Sequence, residues 1–285
     1  MNRNRFNAST VAGRRVLITG AKRGIGAATA QRLHAGGAQV ALAGLEPEYL
    51  AEVSARCGDA PWYECNVTER SRVEEVVTTA GSVLGGLDVV MANAGTAALA
   101  PLIGGSPALW DGILAVNVGG VYNTVQAAGP HISHRNGYVL IIASLAAAMQ
   151  MPMLGAYCTS KAAVEAMGNV LRTELRPTGA RVGVAYFGSI DTDMVDRGLD
   201  TESERYLLRN RGIGVPVPVK VAVDAIERGI ARRSRRVVAP RWVAPLLPLR
   251  MAAQPIVEAA FGSRVERTLE MARNEHPTLT TEQPR

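Results

Sequence analysis

The sequence predicts a doubly wound α/β fold: a parallel sheet with helices on both faces, extended at its C-terminal end by further helix. Two observations carry this. Short runs of continuous apolar residues, as expected of strands buried on both faces, alternate with segments whose apolar residues recur at helical spacing. A glycine-rich turn joins the first run to the first helical stripe, Thr19-Gly20-Ala21-Lys22-Arg23-Gly24-Ile25-Gly26.

The first strand falls at residues 16–18, and the first helix over 24–36 with Ile25, Thr29 and Leu33 on one face. A second strand at 40–43 leads to a helix near 46–55, and a short third strand spans 62–65. Val73, Val76, Val77, Ala80, Val83 and Leu84 mark the next helix, before a fourth strand at 87–92. A long helix over about 108–128, a fifth strand at 138–143 and a helix over about 157–175 follow. Strands at 182–186 and 237–239 bring the number to seven. Connections between parallel strands should be right-handed crossovers. No linker interrupts residues 12–240, so 1–240 reads as one domain and 241–285 as an extension packing on it or on a partner subunit. Residues 189–216 break the rhythm. They are polar and charged, end in Gly212-Ile213-Gly214, and suggest a mobile flap. In the extension Val257, Phe261, Val265 and Leu269 form a helical stripe, and 274–285 are expected to fray.

With 285 residues, 47% hydrophobic and 20% charged, the chain can bury a sizeable core. That excludes a disordered polar chain and a disulfide mini-protein. No apolar run reaches the roughly 18 residues a membrane span needs. The polar start of the chain and its three cysteines point to the cytoplasm. Four scattered histidines give no metal site. The net charge of +6 raises nucleic-acid binding, but the basic residues are mostly spread along the chain. The dense run at 228–241 has few aromatics for base stacking, so no nucleic-acid partner is expected.

The glycine turn has the physical properties of a phosphate cradle. Gly20, Gly24 and Gly26 permit a tight turn and close backbone approach, and the free N–H groups at the helix start favour an anion. Other candidate ligand segments follow strand ends, where open parallel sheets bind ligands. They are Asn93-Ala94-Gly95 after the fourth strand, Ser144 after the fifth, and Phe187-Gly188-Ser189-Ile190 after the sixth. Tyr157 and Lys161 stand four apart on one helix face that continues through Val164, Gly168 and Leu171, so they should meet the sheet. A neighbouring ammonium favours a phenolate, and a phenol of lowered pKa can exchange a proton with an alcohol oxygen while hydride moves to or from a nicotinamide. Ser144 could bond the same oxygen.

These residues resemble the short-chain dehydrogenase/reductase family over roughly residues 12–240. The matching elements, in order, are Thr19-Gly20-x3-Gly24-Ile25-Gly26, Asn93-Ala94-Gly95, Asn117, Ser144 and Tyr157-x3-Lys161. The resemblance implies a Rossmann-type, mainly seven-stranded sheet, NAD(P), and interconversion of an alcohol and a carbonyl. It makes Tyr157 the acid/base. Lys161 would lower its pKa and bind the nicotinamide ribose, Ser144 would orient the substrate oxygen, and Asn117 would hold a proton-relay water. Cofactor contacts are expected from Gly20, Arg23, Gly24, Ile25, Gly26, Gly44, Leu45, Asn66, Val67, Asn93, Ala94, Gly95, Tyr157, Lys161, Ile190 and Thr192.

The sequence departs from the family in three places. Asn66-Val67 stands where Asp-Val is usual, and Asn66 could offer its amide oxygen to the adenine amino group. Phe187-Gly188 replaces Pro-Gly. Gly44 and Leu45 replace the acid that usually bonds the adenosine ribose, while Arg23 can meet a 2′-phosphate. This tilts the cofactor toward NADP; NAD is the alternative, because Glu46 can also reach the ribose.

The stretch from Leu145 through Met149, Met151 and Met153 to Leu154 carries no charge, which predicts an apolar or bulky small-molecule alcohol or ketone. The family tends to form homodimers or homotetramers. The Arg-rich run and apolar tail could touch a membrane surface, but folding back onto the domain or a dimer mate is the expected reading. The alternative function is a non-catalytic NAD(P)-binding regulator, which would need no Tyr-Lys-Ser set.

Overall fold

The computed structural model describes residues 10–192, 201–208, 215–275 and 277–281. The strands of its main sheet are β1 (Arg15–Thr19), β2 (Gln39–Gly44), β3 (Trp62–Glu64), β4 (Val89–Ala92), β5 (Tyr138–Ile142), β6 (Arg181–Phe187) and β9 (Arg236–Ala239). They form one parallel sheet in the order β3-β2-β1-β4-β5-β6-β9. A two-residue pair, β7 (Ile190–Asp191) with β8 (Val217–Pro218), lies apart from it.

Strands β1 to β5 are each followed directly by helix, and β6 by the short β7. One face of the sheet packs against α1 (Gly24–Ala35), α2 (Pro47–Ala55) and α8 (Val219–Arg232), which contribute Leu33, Leu50, Ile226 and Ile230 to its core. The other packs against α3 (Arg70–Val83), α5 (Val121–Ile132) and α6 (Gly155–Glu174), through Val76, Val125 and Val164. Side-chain alternation feeds both cores: Val16 and Ile18 point to the first, Leu17 between them to the second. The continuous apolar residues at 16–18 of β1 and throughout β4 and β5 are therefore required, not redundant. The winding reverses between β1 and β4, and a crevice opens there at the strands' carboxyl ends.

Two sequence expectations change. The long helix over 108–128 is three pieces: α4 (Pro107–Leu114), a π-helical turn at Ala115–Gly120, and α5. The turn holds Asn117. Part of the expected flap is regular: β7 and α7 (Glu202–Leu208) lie within it and β8 follows directly after it, while Gly212-Ile213-Gly214 falls outside the described residues.

The extension folds onto the domain through α9 (Val243–Leu246) and α10 (Arg250–Ala272). Val257 and Phe261 of α10 pack with Leu207 of α7 and with Met149 and Met151. A charged cluster fastens the start of α10 to α6. Arg250 donates to both carboxylate oxygens of buried Glu165, each at 2.9 Å, and the Tyr186 hydroxyl donates to the same carboxylate at 2.9 Å.

Arg250→Met leaves that carboxylate with Tyr186 alone, and should lower stability by about 2 kcal/mol. Adding Glu165→Gln should restore part of the loss. Urea unfolding of the single and double variants checks this; a single variant within about 0.5 kcal/mol of wild type would show that the cluster is only a surface contact.

Candidate active site

One cavity of about 770 Å³ runs along the carboxyl ends of the central strands. Its floor begins at the β1–α1 turn, whose shape depends on missing side chains. Gly20 has φ +66°, and a Cβ there would stand 2.8 Å from the Ala94 Cα. A Cβ on Gly26 would collide with the Gly20 carbonyl oxygen. Backbone rather than side chain therefore faces the crevice at the head of α1, where helical N–H groups lack intrahelical partners.

Asn93 clips this turn to the end of β4. Its amide donates to the carbonyls of Thr19 (2.9 Å) and Gly20 (3.1 Å). The Thr19 hydroxyl accepts from the N–H groups of Asn93 and Ala94. The Asn93 side chain is thus bound within the protein; what it offers the crevice is its backbone.

The wall opposite carries the reactive groups. Ser144 follows β5 in extended conformation; its oxygen accepts from Ala146 N–H at 3.1 Å and its hydroxyl faces the Phe187 carbonyl at 3.4 Å. Tyr157 and Lys161 lie in the first two turns of α6, with Lys161 Nζ 5.4 Å from the phenol ring centroid. Lys161 is 5% exposed and donates to the Ile142 carbonyl at 3.0 Å. Burial pushes its pKa from 10.5 down to about 8. Burial pushes Tyr157 the other way, up to about 12, against a hydrogen bond with Ser144 that draws it down. The expectation that the ammonium would lower the phenol's pKa is thus corrected: the ammonium is aimed at a backbone carbonyl, and loss of hydration outweighs it.

Asn117 does not line the cavity. It is completely buried, accepts from Thr96 N–H (2.8 Å), and donates to the Thr96 carbonyl and the Ser160 hydroxyl, both at 2.9 Å. Ser160 in turn donates to the Tyr157 carbonyl at 2.7 Å. All the amide's hydrogen-bonding direction in the structure is toward protein. It ties the segment following Gly95 to the helix that bears Tyr157. Gly95 passes beside it: a Cβ there would sit 3.3 Å from Asn117 Oδ1 and 3.6 Å from Lys161 Nζ.

The residues expected to touch a cofactor, from Gly20 through Arg23, Gly24, Ile25 and Gly26 to Gly44, Leu45, Asn66, Val67, Asn93, Ala94, Gly95, Ile190 and Thr192, all line this cavity. One detail differs. The Asn66 amide oxygen already accepts from the Thr68 N–H (3.1 Å) and hydroxyl (2.9 Å), so the amide presents its N–H₂ end rather than the expected acceptor.

Sequence reasoning missed several groups. Lys22 Nζ lies 2.8 Å from Glu46, and Arg23 Nη1 lies 4.0 Å from the same carboxylate. Val257 and Phe261 of α10 and Trp242 form part of the apolar wall beyond Met149, Met151 and Leu154. Thr280 and Thr281, placed in a fraying tail by composition, line the cavity near the glycine turn. Only the α10 stripe gave a signal. Among the described residues no cluster suits a metal ion, and no helix is long and apolar enough to cross a membrane.

Comparison with known proteins places this arrangement. A family model described as short chain dehydrogenase matches residues 14–203. Nodulation protein G of Rhizobium sp. (strain N33) is 32% identical over 215 residues, covering 74% of this chain and 88% of that protein. The 3-oxoacyl-[acyl-carrier-protein] reductase FabG of Thermotoga maritima is 33% identical over 202 residues, covering 69% of this chain and 82% of that one. A crystal structure of a short chain dehydrogenase/reductase from Burkholderia phymatum in complex with NAD superposes with a TM-score of 0.74 at 21% identity, over 85% of this chain and 94% of that one. On its sequence match and its sheet, the chain belongs to the short-chain dehydrogenase/reductase family, a family of oxidoreductases.

Proposed function

We propose that the protein is a nicotinamide-dependent oxidoreductase that interconverts a secondary alcohol and a ketone on apolar or bulky substrates. One observation carries the reading. A hydroxyl (Ser144), a phenol (Tyr157) and an ammonium (Lys161) meet along a cavity whose other end is a side-chain-free backbone cradle. The cradle suits a pyrophosphate, and Gly20 to Gly26 would hold it. Asn66 and Val67 would flank the adenine, and Lys161 with Tyr157 the ribose next to the nicotinamide. The nicotinamide ring, when bound, supplies or accepts the hydride.

The chain's own residues handle the proton and the fit. Ser144 bonds the substrate oxygen and orients it toward Tyr157. Tyr157, protonated at neutral pH, donates to that oxygen in the reducing direction and recovers the proton in the oxidising one. Met149, Met151, Leu154, Val257 and Phe261 exclude water and favour an apolar substrate. The reductase named among the relatives and the NAD of the structural neighbour agree with this reading. A regulator that only bound nucleotide could use Lys161 and Tyr157 on the ribose, but would need no Ser144 hydroxyl bonded to the phenol. A homodimer or homotetramer could use the outer faces of α5 and α6, where Tyr122 and Val170 are exposed.

At the adenosine end two cations, Lys22 and Arg23, face one carboxylate, Glu46, and no acid stands at Gly44 or Leu45. The net positive charge favours NADP. NADPH should exceed NADH in kcat/KM by about tenfold, and Arg23→Ala should remove most of that preference. A tenfold preference for NADH would reverse the assignment.

Tyr157→Phe should lower kcat by about 10²–10⁴-fold on a panel of ketones while nucleotide affinity, read by fluorescence titration, stays within about threefold. Surviving turnover would remove Tyr157 from the acid/base role. Activity confined to small charged metabolites would refute the apolar substrate class.

The buried lysine also makes a stability prediction. Its native pKa lies below that of the unfolded chain, so the native state is penalised while both hold the proton, below about pH 8. The penalty fades as pH rises from about 8 toward 10.5. Lys161→Met should therefore raise stability near pH 7 by roughly 1–3 kcal/mol, after loss of the Ile142 bond, and the gain should shrink toward pH 10. Thermal melts across that range, without nucleotide, check it; a gain that grows with pH would contradict the assigned direction.

A further inference from the structure

Beyond α10 the chain turns back into the crevice. Glu275 first anchors it, accepting from the N–H (2.8 Å) and hydroxyl (2.6 Å) of Ser203 at the start of α7. Leu279 then packs against Gly112 of α4, where an added Cβ would meet its Cδ1 at 3.1 Å. Thr280 is 3% exposed and pairs with the segment after β4: its N–H donates to the Ala97 carbonyl at 3.0 Å, and its hydroxyl accepts from Ala97 N–H at 3.0 Å. The Thr96 hydroxyl lies 3.1 Å from the Thr280 hydroxyl and accepts from Thr281 N–H at 3.3 Å. On the opposite bank, Arg23 Nη2 donates to the Thr280 carbonyl and the Thr281 hydroxyl, both at 3.1 Å.

The segment therefore bridges the two banks of the cradle: the β1–α1 turn through Arg23, and the β4 exit through Thr96 and Ala97. It borders the cavity without filling it. With Thr280 and Thr281 in place the space still measures about 770 Å³ and is lined from Asn66 and Val67 to Tyr157 and Lys161. It also bears on the catalytic wall, because the backbone of Thr96 is the one held by Asn117.

We propose that residues 277–281 are part of the dinucleotide site. They form a strap that fixes the Arg23 guanidinium at the adenosine end and delays release of the nucleotide. The proposal rests on the reading that the crevice takes a nicotinamide dinucleotide. Thr280 and Thr281 are positioning residues, acting through Arg23 and through closure of the crevice.

The test is the release rate of NADPH and of NADH, followed by stopped-flow fluorescence. Three forms are compared with the full chain: one ending at Glu275, Thr280→Val, and Thr280→Ser. Truncation and Thr280→Val should speed release by about tenfold and weaken Kd in proportion, while Thr280→Ser, which keeps the hydroxyl, should stay within about twofold of the full chain. Release unchanged in both the truncation and Thr280→Val would overturn the strap. Tighter binding after truncation would also overturn it, by showing that the segment competes with nucleotide. Should the truncated chain fail to fold, the Val and Ser pair decides alone. A full chain that binds neither nucleotide would instead defeat the underlying cofactor reading.

Discussion

The site depends on how closely two stretches of backbone can pass. At Gly20 the β1–α1 turn runs against Ala94 at the end of β4, with no room for a Cβ. Asn93 and Thr19 hold the approach with four hydrogen bonds across it. Because β1 and β4 are the neighbours at which the sheet's winding reverses, this contact sets the width of the crevice. It also makes the cradle and the reactive wall one piece. Two residues past Asn93, Gly95 runs beside Asn117 and Lys161, and the Thr96 backbone is bound to Asn117. A shift at the turn would be transmitted to α6 through packed, hydrogen-bonded atoms.

Burial at that wall has opposite effects on its two ionisable groups. Removing water disfavours charge, so the phenol is held protonated and the ammonium is driven toward neutrality. Among the described residues Lys161 makes no ion pair; its ammonium is held by the bond to the Ile142 carbonyl. Such a group costs stability and is tolerated where chemistry uses it. Glu165, a few residues along the same helix, is the contrasting case: equally enclosed, but satisfied by Arg250 and Tyr186.

The strands are legible in the sequence because a parallel sheet demands apolar residues on both faces, and runs such as Val16-Leu17-Ile18 admit few other readings. The cradle and the Tyr157–Lys161 face are legible because glycine conformations and helical spacing are local properties. What escapes is set by distant partners. Composition marks Thr280 and Thr281 as tail, and only Arg23, Thr96 and Ala97 make them wall. The Asn66 oxygen is claimed by Thr68, two residues on, a local competition that the Asn-Val-Thr pattern does show. The shift at Tyr157 is missed because a charge four residues away is visible in sequence, whereas desolvation is not.

The π-helical turn at Ala115–Gly120 has a further bearing on how the chain tolerates change in length. Its wider winding accommodates one residue more than a regular turn, so α4 and α5 each keep their own apolar face against the core while Asn117 is turned inward. The bulge thus acts as a phase adjuster between two otherwise regular helices. A single-residue deletion there would let the turn close into unbroken α-helix, leaving α4 and α5 in phase and changing only the direction of the residues within the turn. Asn117 would leave its partners although no side chain of the site had been replaced. Gene variants that differ only by this indel would lose the tie between β4 and α6 while retaining every signature residue elsewhere.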